Sequence, residues 1–402
     1  MSQYRVLVAD DQPEIARALV SGLSVPEFHV EFVTDAAIAV DRLTAGDVID
    51  AVVVDMRMPP DVWGGLWLIE KVRSMMLNVP VIVLSGEAGQ TETIRALRLG
   101  ANDWVSKDDA IREIRDRVEH QLKEAEARAL ASPPVLLPTP IAEKVAHYKE
   151  VLARDGSELE RGLAVISTVE AIWRFLSLVN LAALDSSQGL RGVVEPQLIR
   201  PSMGTFLDLL KVTRELTQDN GAPSRLCSCM PMDKASEVVR ERNRGVGHPI
   251  GAPGLDQSVI KIAESQLLTF LRRFADSGLG YLGGVHTMTY EGNAFRMDMR
   301  VHGASLTPRL TFESDHPLPS GETFWVSASG VVRLWPWIIE DECDVSNART
   351  VFLFDGVKVK GKDLKDLAAP FIYSGCSSRG AHECGGRLGD LKSLFPDRSA
   401  QG

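Results

Sequence analysis

Apolar positions along the first 130 residues gather in short unbroken runs separated by longer amphipathic stretches. YRVLVA (4–9), HVEFVT (29–34), DAVVVD (50–55), VPVIVLS (79–85) and NDWVS (102–106) are strand-length, and most are rich in Val and Ile. QPEIARALVSGL (12–23) and AGQTETIRALRLG (88–100), lying between such runs, are helix-length. Strand and helix in turn, with nearly continuous apolar strands, predict a doubly wound parallel sheet covered on both faces. A last helix is expected from about Asp108 to Leu130; its charge suggests a projecting stalk.

Four prolines in ASPPVLLPTP (131–140) break that helix and predict a linker. From 141 to 276 the spacing is helical. Val165, Val169, Ile172, Leu176 and Val179 recur at steps of four and three, one helix face. MGTFLDLLKVTREL (203–216), KASEVVRERNR (234–244) and VIKIAESQLLTFLRRF (259–274) give three further helices. Beyond SGLGYLGG (277–284) the pattern becomes strand-like. FWVSASGVVRLW (324–335) reads as two strands about a Gly turn, and TVFLFDGVKVKG (350–361) as a hairpin centred on Asp355-Gly356. The fold class is therefore multidomain: an α/β doubly wound five-stranded parallel sheet (1–130), a linker (131–140), a helical bundle (141–276), a β-rich α+β domain (277–374) and a small, polar, disordered tail (375–402).

The net charge of −10 is uneven: residues 1–130 carry 22 acidic against 14 basic side chains, and the remainder 32 against 30. Neither part has the basic excess of a DNA-coating domain, so duplex DNA is not an expected partner. Five scattered cysteines do not form a disulfide framework, and CSC (227–229) and CSSRGAHEC (376–384) match no structural zinc spacing. No signal-peptide pattern opens the chain, and the apolar stretch FLSLVNLAAL (175–184) is too short to span a bilayer. A cytoplasmic protein with no membrane partner is expected.

Ligands of doubly wound sheets bind beyond the carboxyl ends of the strands. Here the first strand leads into Asp10 and Asp11, the third ends at Asp55, the fourth at Ser85, and the fifth runs into Lys107. Clustered carboxylates repel one another, and a hard divalent cation relieves that repulsion; oxygen ligands suit Mg²⁺. Lys107 and Ser85 can then hold phosphoryl oxygens, with Asp55 as the nucleophile that forms an acyl phosphate.

VLVADDQPEI (6–15), VVVDMRMPP (52–60), VIVLSGEAG (81–89) and GANDWVSK (100–107) together resemble the receiver domain of bacterial two-component response regulators, over residues 1–125. The resemblance implies strand order 2-1-3-4-5, phosphorylation of Asp55 in a phosphorelay, and Mg²⁺ held by Asp10, Asp11, Asp55 and the backbone carbonyl of Arg57. It implies catalytic support from Ser85 and Lys107, and a switch residue at Trp104 that turns inward on activation. A sensor histidine kinase or phosphotransfer protein is the implied partner. Three features depart from the family pattern. The loop PPDVWGGL (59–66) is longer, Asp108 replaces the usual proline after the lysine, and Trp104 is bulkier than the common Tyr or Phe.

VVRERNRGVGHPIG (238–251) resembles the short motif of HEPN domains, helical bundles of which many are metal-independent, dimeric ribonucleases. It implies Arg242, Asn243 and His248 as RNA-binding or catalytic residues: an imidazole to move a 2′-hydroxyl proton and a guanidinium to hold the phosphate. The same residues also suit a structural role, with Arg242 paired to an acid and the glycines ending a helix. The main expectation is a phosphorelay response regulator, forming a homodimer, whose phosphate switches a helical and β-rich output module. The alternatives are a phosphorylation-controlled ribonuclease with RNA as partner, and a DNA-binding transcription regulator.

Overall fold

The computed structural model describes residues 4–23, 25–45, 48–86, 90–184, 198, 200–216, 222–247, 254–276, 279–304, 309–328, 330–342, 349–357, 371–374 and 382–383. The chain divides into two compact units. The first holds Met1–Pro134, Ser228–Lys234 and Glu264–Gly278; the second holds Val135–Cys227, Ala235–Ala263 and Leu279–Gly402.

In the first unit, β1 (Tyr4–Ala9), β2 (Phe28–Val33), β3 (Ala51–Asp55), β4 (Val81–Ser85) and β5 (Asp103–Ser106) form one parallel sheet in the order β2-β1-β3-β4-β5. Alternation of side chains along each strand sends them to two separate cores. Leu7, Ala9, Val52, Val54, Val81 and Val83 pack with α2 (Ala36–Thr44) and α3 (Gly64–Ser74). Val6, Val8, Ala51, Val53, Ile82 and Leu84 pack with α1 (Pro13–Gly22) and α5 (Lys107–Ala131). Helix α4 (Gln90–Arg98) lies between β4 and β5 in the chain. Local chemistry starts several of these helices: proline opens α1, and Asp35 Oδ1 accepts from Ala37 N–H at 2.6 Å to cap α2.

The expected stalk is not one. The second half of α5 is packed, with Gln121, Leu122, Ala125, Glu126 and Ala129 all buried. Its charge misled, because a buried carboxylate is tolerated wherever donors surround it. Thr269 Oγ1 and Tyr4 OH donate to Glu126 Oε1 at 3.0 and 3.2 Å.

The second unit is helical and then β-rich. Among the described residues its helices are α6 (Thr139–Ala153), α7 (Glu158–Ala183), α8 (Met203–Leu216), α9 (Ala222–Ser228) except its last residue, α10 (Ala235–Gly247) and the first residues of α11 (Gln257–Asp276). The face predicted for α7 is buried, but Ile166, Trp173, Phe175 and Leu178 are buried as well. By length and composition α7 is apolar enough to cross a membrane, a property the shorter window 175–184 did not show. Yet 72% of its most apolar window is buried within the protein, as in a core helix.

Strands β6 (Tyr281–Glu291), β7 (Ala294–Val301), β8 (Leu310–Ser314), β9 (Thr323–Ser327) and β10 (Gly330–Arg333) form an antiparallel sheet ordered β10-β9-β6-β7-β8. Strands β11 (Ile338–Glu342), β12 (Arg349–Val357), β13 (Phe371–Ser374) and β14 (His382–Glu383) form another. The turn between β9 and β10 is where the sequence places it. The hairpin at Asp355-Gly356 is not: both residues lie inside β12, which pairs with β11 on one side and β13 on the other. Gly356 has φ 130° beside a register shift, so glycine here serves a bulge within the strand. The proline-rich stretch is pinned by backbone bonds, Ala304 N–H to Val135 O at 2.9 Å and Thr139 N–H to His302 O at 3.2 Å. Most of the tail lies outside the described residues, although His382–Glu383 pairs with β13.

Candidate functional site

Strand register alone brings the predicted residues of the first unit to one edge. Ala9 pairs with Val54 and Asp55 with Leu84, while Ser85 pairs with Ser106. Asp10, Asp55, Ser85 and Lys107 therefore end or follow neighbouring strands at similar depth. One ligand oxygen each from Asp10, Asp11 and Asp55 lies within 4.8 Å of the others. Asp10 and Asp55 are buried and Asp11 is exposed. Lys107 Nζ lies 2.8 Å from Asp55 Oδ2 and 3.1 Å from Asp10 Oδ2. Gln12 N–H donates to Asp10 Oδ1 at 2.9 Å, orienting that carboxylate.

Burial pushes the Asp55 carboxyl above its ordinary range; the Lys107 ammonium and the Arg57 N–H oppose this, and the charge of Asp10 adds to it. Burial disfavours the Lys107 ammonium, but Asp55 and Asp10 outweigh burial and hold its pKa above the usual lysine value.

The loop after Asp55 is shaped by close approach. A Cβ on Gly65 would sit 2.1 Å from the Asp55 carbonyl oxygen, and one on Gly64 2.1 Å from that of Met58. Only glycine lets α3 begin so near the acid. The long form of the loop carries a cis Pro59-Pro60 bond and a bridge between Met58 and Asp61, and the Arg57 guanidinium lies over the Trp63 ring at 5.2 Å. Where the family usually has proline after the lysine, the chain enters α5 directly. Ser106 caps the helix, accepting from Asp108 N–H at 3.3 Å. Trp104 is 46% exposed on β5. The side chain of Ser85 lies outside the described atoms.

A family model for the response regulator receiver domain matches residues 6–119. Residues 6–119 are a receiver domain. Similar relatives are the transcriptional regulatory protein PrrA of Mycobacterium leprae, 33% identical over 132 residues, covering 33% of this chain and 55% of the relative, and the transcriptional regulatory protein KdpE of Mycobacterium tuberculosis, 32% identical over 160 residues, covering 38% and 66%. The chain spans about half the length of the first of these curated relatives. Among solved structures, the receiver domain of the Francisella response regulator 1452 is 28% identical, covering 30% of this chain and 98% of that one, with a TM-score of 0.28. The receiver domain of NarL from Mycobacterium tuberculosis is also 28% identical, covering 31% and 98%, with a TM-score of 0.28.

The acidic cluster of the receiver fits Mg²⁺ in donor chemistry: three carboxylates, two of them buried, that a lysine alone only partly neutralises.

In the second unit, Arg242 lies on α10 with its guanidinium 3.5 Å from Glu170 of α7, and Asn243 is exposed. His248 lies outside the described residues, as do Cys343, Cys376 and Cys384. Cys227 and Cys229 are buried. Trp337 packs edge-on against Phe354, while Arg333 lies over Trp335 at 5.0 Å.

The sequence reading overlooked two buried ionic clusters. In the first unit Asp50 meets Arg272 and Arg273. In the second, Glu340 pairs with Arg300 and lies 3.5 Å from His302 Nε2. The signal for the first was present: an acid inside the apolar run VIDAVVV and two adjacent arginines inside FLRRF.

Proposed function

We propose that this protein is a phosphorelay response regulator that accepts a phosphoryl group on Asp55 and uses it to switch the helical and β-rich part of the chain. The observation that carries this reading is the convergence of Asp10, Asp11, Asp55 and Lys107 at one sheet edge within a receiver domain. A sensor histidine kinase or a phosphotransfer protein is the donor. An Asp55 carboxylate oxygen forms the bond to phosphorus as the bond to the donor's leaving atom breaks. Lys107, now paired with Asp55 and Asp10, is placed to follow the new negative charge onto a phosphoryl oxygen. Ser85, at the end of β4, is the hydroxyl assigned to another oxygen. Asp10, Asp11, Asp55 and the Arg57 carbonyl would hold Mg²⁺, which supplies charge neutralisation during transfer. The product carries about two negative charges where one stood. A coupling of ~1–3 kcal/mol to the output is the usual size for such a switch.

Incubation with acetyl phosphate and Mg²⁺ tests the reading by intact mass. Wild type is expected to gain one phosphoryl group and Asp55→Asn none. An unchanged wild-type mass rejects Asp55 as acceptor.

The names of PrrA and KdpE, both transcriptional regulatory proteins, favour transcription control as a second reading. A salt-sensitive mobility shift of duplex DNA that grows on phosphorylation would support it; no shift at low salt would reject it.

A further inference from the structure

Two rigid elements carry the acidic site, and both lead to the same buried cluster. Strand β3 ends at Asp55, and Asp50 immediately precedes its first residue. Helix α5 begins at Lys107 and continues unbroken past Glu126. A strand rises roughly 3.3 Å per residue and a helix about 1.5 Å, so the elements span about 17 and 28 Å between these pairs.

At their far ends stand Arg272 and Arg273 of α11. Asp50 Oδ1 accepts from Arg272 Nη2 at 2.5 Å and from Arg273 Nε at 2.7 Å. Asp50 Oδ2 accepts from Arg273 Nη2 at 2.8 Å and from the Arg5 N–H at 2.6 Å. Glu126 Oε1 lies 3.8 Å from Arg272 Nε and accepts from Thr269 Oγ1 of the same helix. Arg273 Nη1 donates to Ser228 O, and Gln266 Nε2 to Asp233 O, tying the segment 228–234 to α11. Asp50, Arg272 and Arg273 are 0%, 2% and 6% exposed. All of these residues belong to the first compact unit.

Two carboxylates and two guanidiniums balance in charge. Such a buried set resists gradual change, because separating any one partner leaves an uncompensated charge. It has the character of a contact that is either made or broken.

We propose that the quartet Asp50, Glu126, Arg272 and Arg273 is the coupling point through which occupancy of the Asp55 site is passed to helix α11. The proposal rests on the phosphoacceptor reading above. Because α11 also contributes Gln257–Ala263 to the second unit, the quartet gives the receiver a hold on an output helix.

Hydrogen exchange of the full chain, with and without beryllium fluoride and Mg²⁺ as the phosphoryl mimic, tests it. In wild type the mimic is expected to change exchange at residues 52–60 and at residues 264–276. Asp55→Asn is expected to abolish both responses. Arg273→Lys and, from the α5 side, Glu126→Gln are expected to keep the first response and lose the second. Without the mimic, exchange at 4–9 and 264–276 that matches wild type shows that the first unit of a variant is folded. A response at 52–60 alone in wild type overturns the coupling and leaves the phosphoacceptor reading standing. No response at either segment overturns that reading and the coupling with it. A wild-type response at 264–276 that persists in both folded variants overturns the role of the quartet.

Discussion

Asp50 and Asp55 bracket one strand and experience opposite fields. Both are buried, at 0% and 4% exposure. Burial would raise either carboxyl. At Asp50 the Arg273 and Arg272 guanidiniums outweigh it and hold the pKa well below the usual carboxylate range. At Asp55 a single ammonium, opposed by Asp10, does not, and the pKa lies above it. The pairing at one end of β3 is complete. The other end keeps an excess of negative charge, the condition for a cation and an incoming phosphoryl group.

The Asp50 cluster makes the receiver sensitive to acid. A carboxyl depressed in the folded state contributes stability that is fully present above its unfolded value of ~3.9 and is lost as pH falls through the folded value. Wild type should therefore hold this contribution at neutral pH and lose it progressively below about pH 4. Asp50→Asn leaves Arg273 without its carboxylate and Arg272 with Glu126 alone, at 3.8 Å, and should cost about 3–5 kcal/mol at pH 7. Urea unfolding followed by circular dichroism across pH 3–7 checks both statements. The variant should show the flatter acid limb.

Gly65→Ala tests the geometry of the loop after Asp55. The added Cβ meets backbone and has no side chain to displace, so the start of α3 must move. A loss of at least ~1–3 kcal/mol is expected, with a slower gain of the phosphoryl group from acetyl phosphate. Gly86→Ala is the control, since its Cβ meets nothing nearer than Lys107 Cδ at 3.8 Å.

Cys227 should be inert in the folded protein. Burial pushes its thiol up to about 12, with Arg214 and an Asn180 hydrogen bond pulling the other way. Its Sγ–H donates to Asn180 Oδ1 at 3.1 Å. Iodoacetamide at pH 8 followed by peptide mapping should leave Cys227 unlabelled until denaturant is added, because thiolate is the reactive form.

Arg242 offers a separation of structural from catalytic roles. Burial raises the carboxyl of Glu170, and Arg242 and then Arg174 lower it, leaving it above its ordinary value. Both partners of the 3.5 Å pair are about a third exposed, so Arg242→Ala should cost less than about 1 kcal/mol. The same variant, with Arg242→Lys beside it, is then assayed for cleavage of single-stranded RNA. Loss of cleavage in both folded variants marks the guanidinium as functional. Absence of cleavage in wild type rejects a catalytic role for Arg242.

Much of this protein is determined locally and so is legible in the chain. Val-rich runs that alternate with helix-length stretches dictate a parallel sheet, and the residue after each run must emerge at its carboxyl edge. That is why Asp10, Asp55 and Lys107 were readable as neighbours from sequence. The buried face of α7, the helical segments of α8, α10 and α11, and the turn between β9 and β10 depend on neighbours in the chain and were readable for the same reason. Partners distant in sequence decided the rest. Asp355-Gly356 has hairpin chemistry, yet two flanking strands draw it into the middle of β12. The charged end of α5 looks solvated, yet Thr269 and Tyr4 supply donors that let Glu126 be buried. Asp50 reads as an ordinary strand-edge acid until Arg272 and Arg273 arrive from more than two hundred residues away. A sequence records which side chains carry charge. Only the tertiary fold determines which of those charges lose their water, and so where pairing is compulsory.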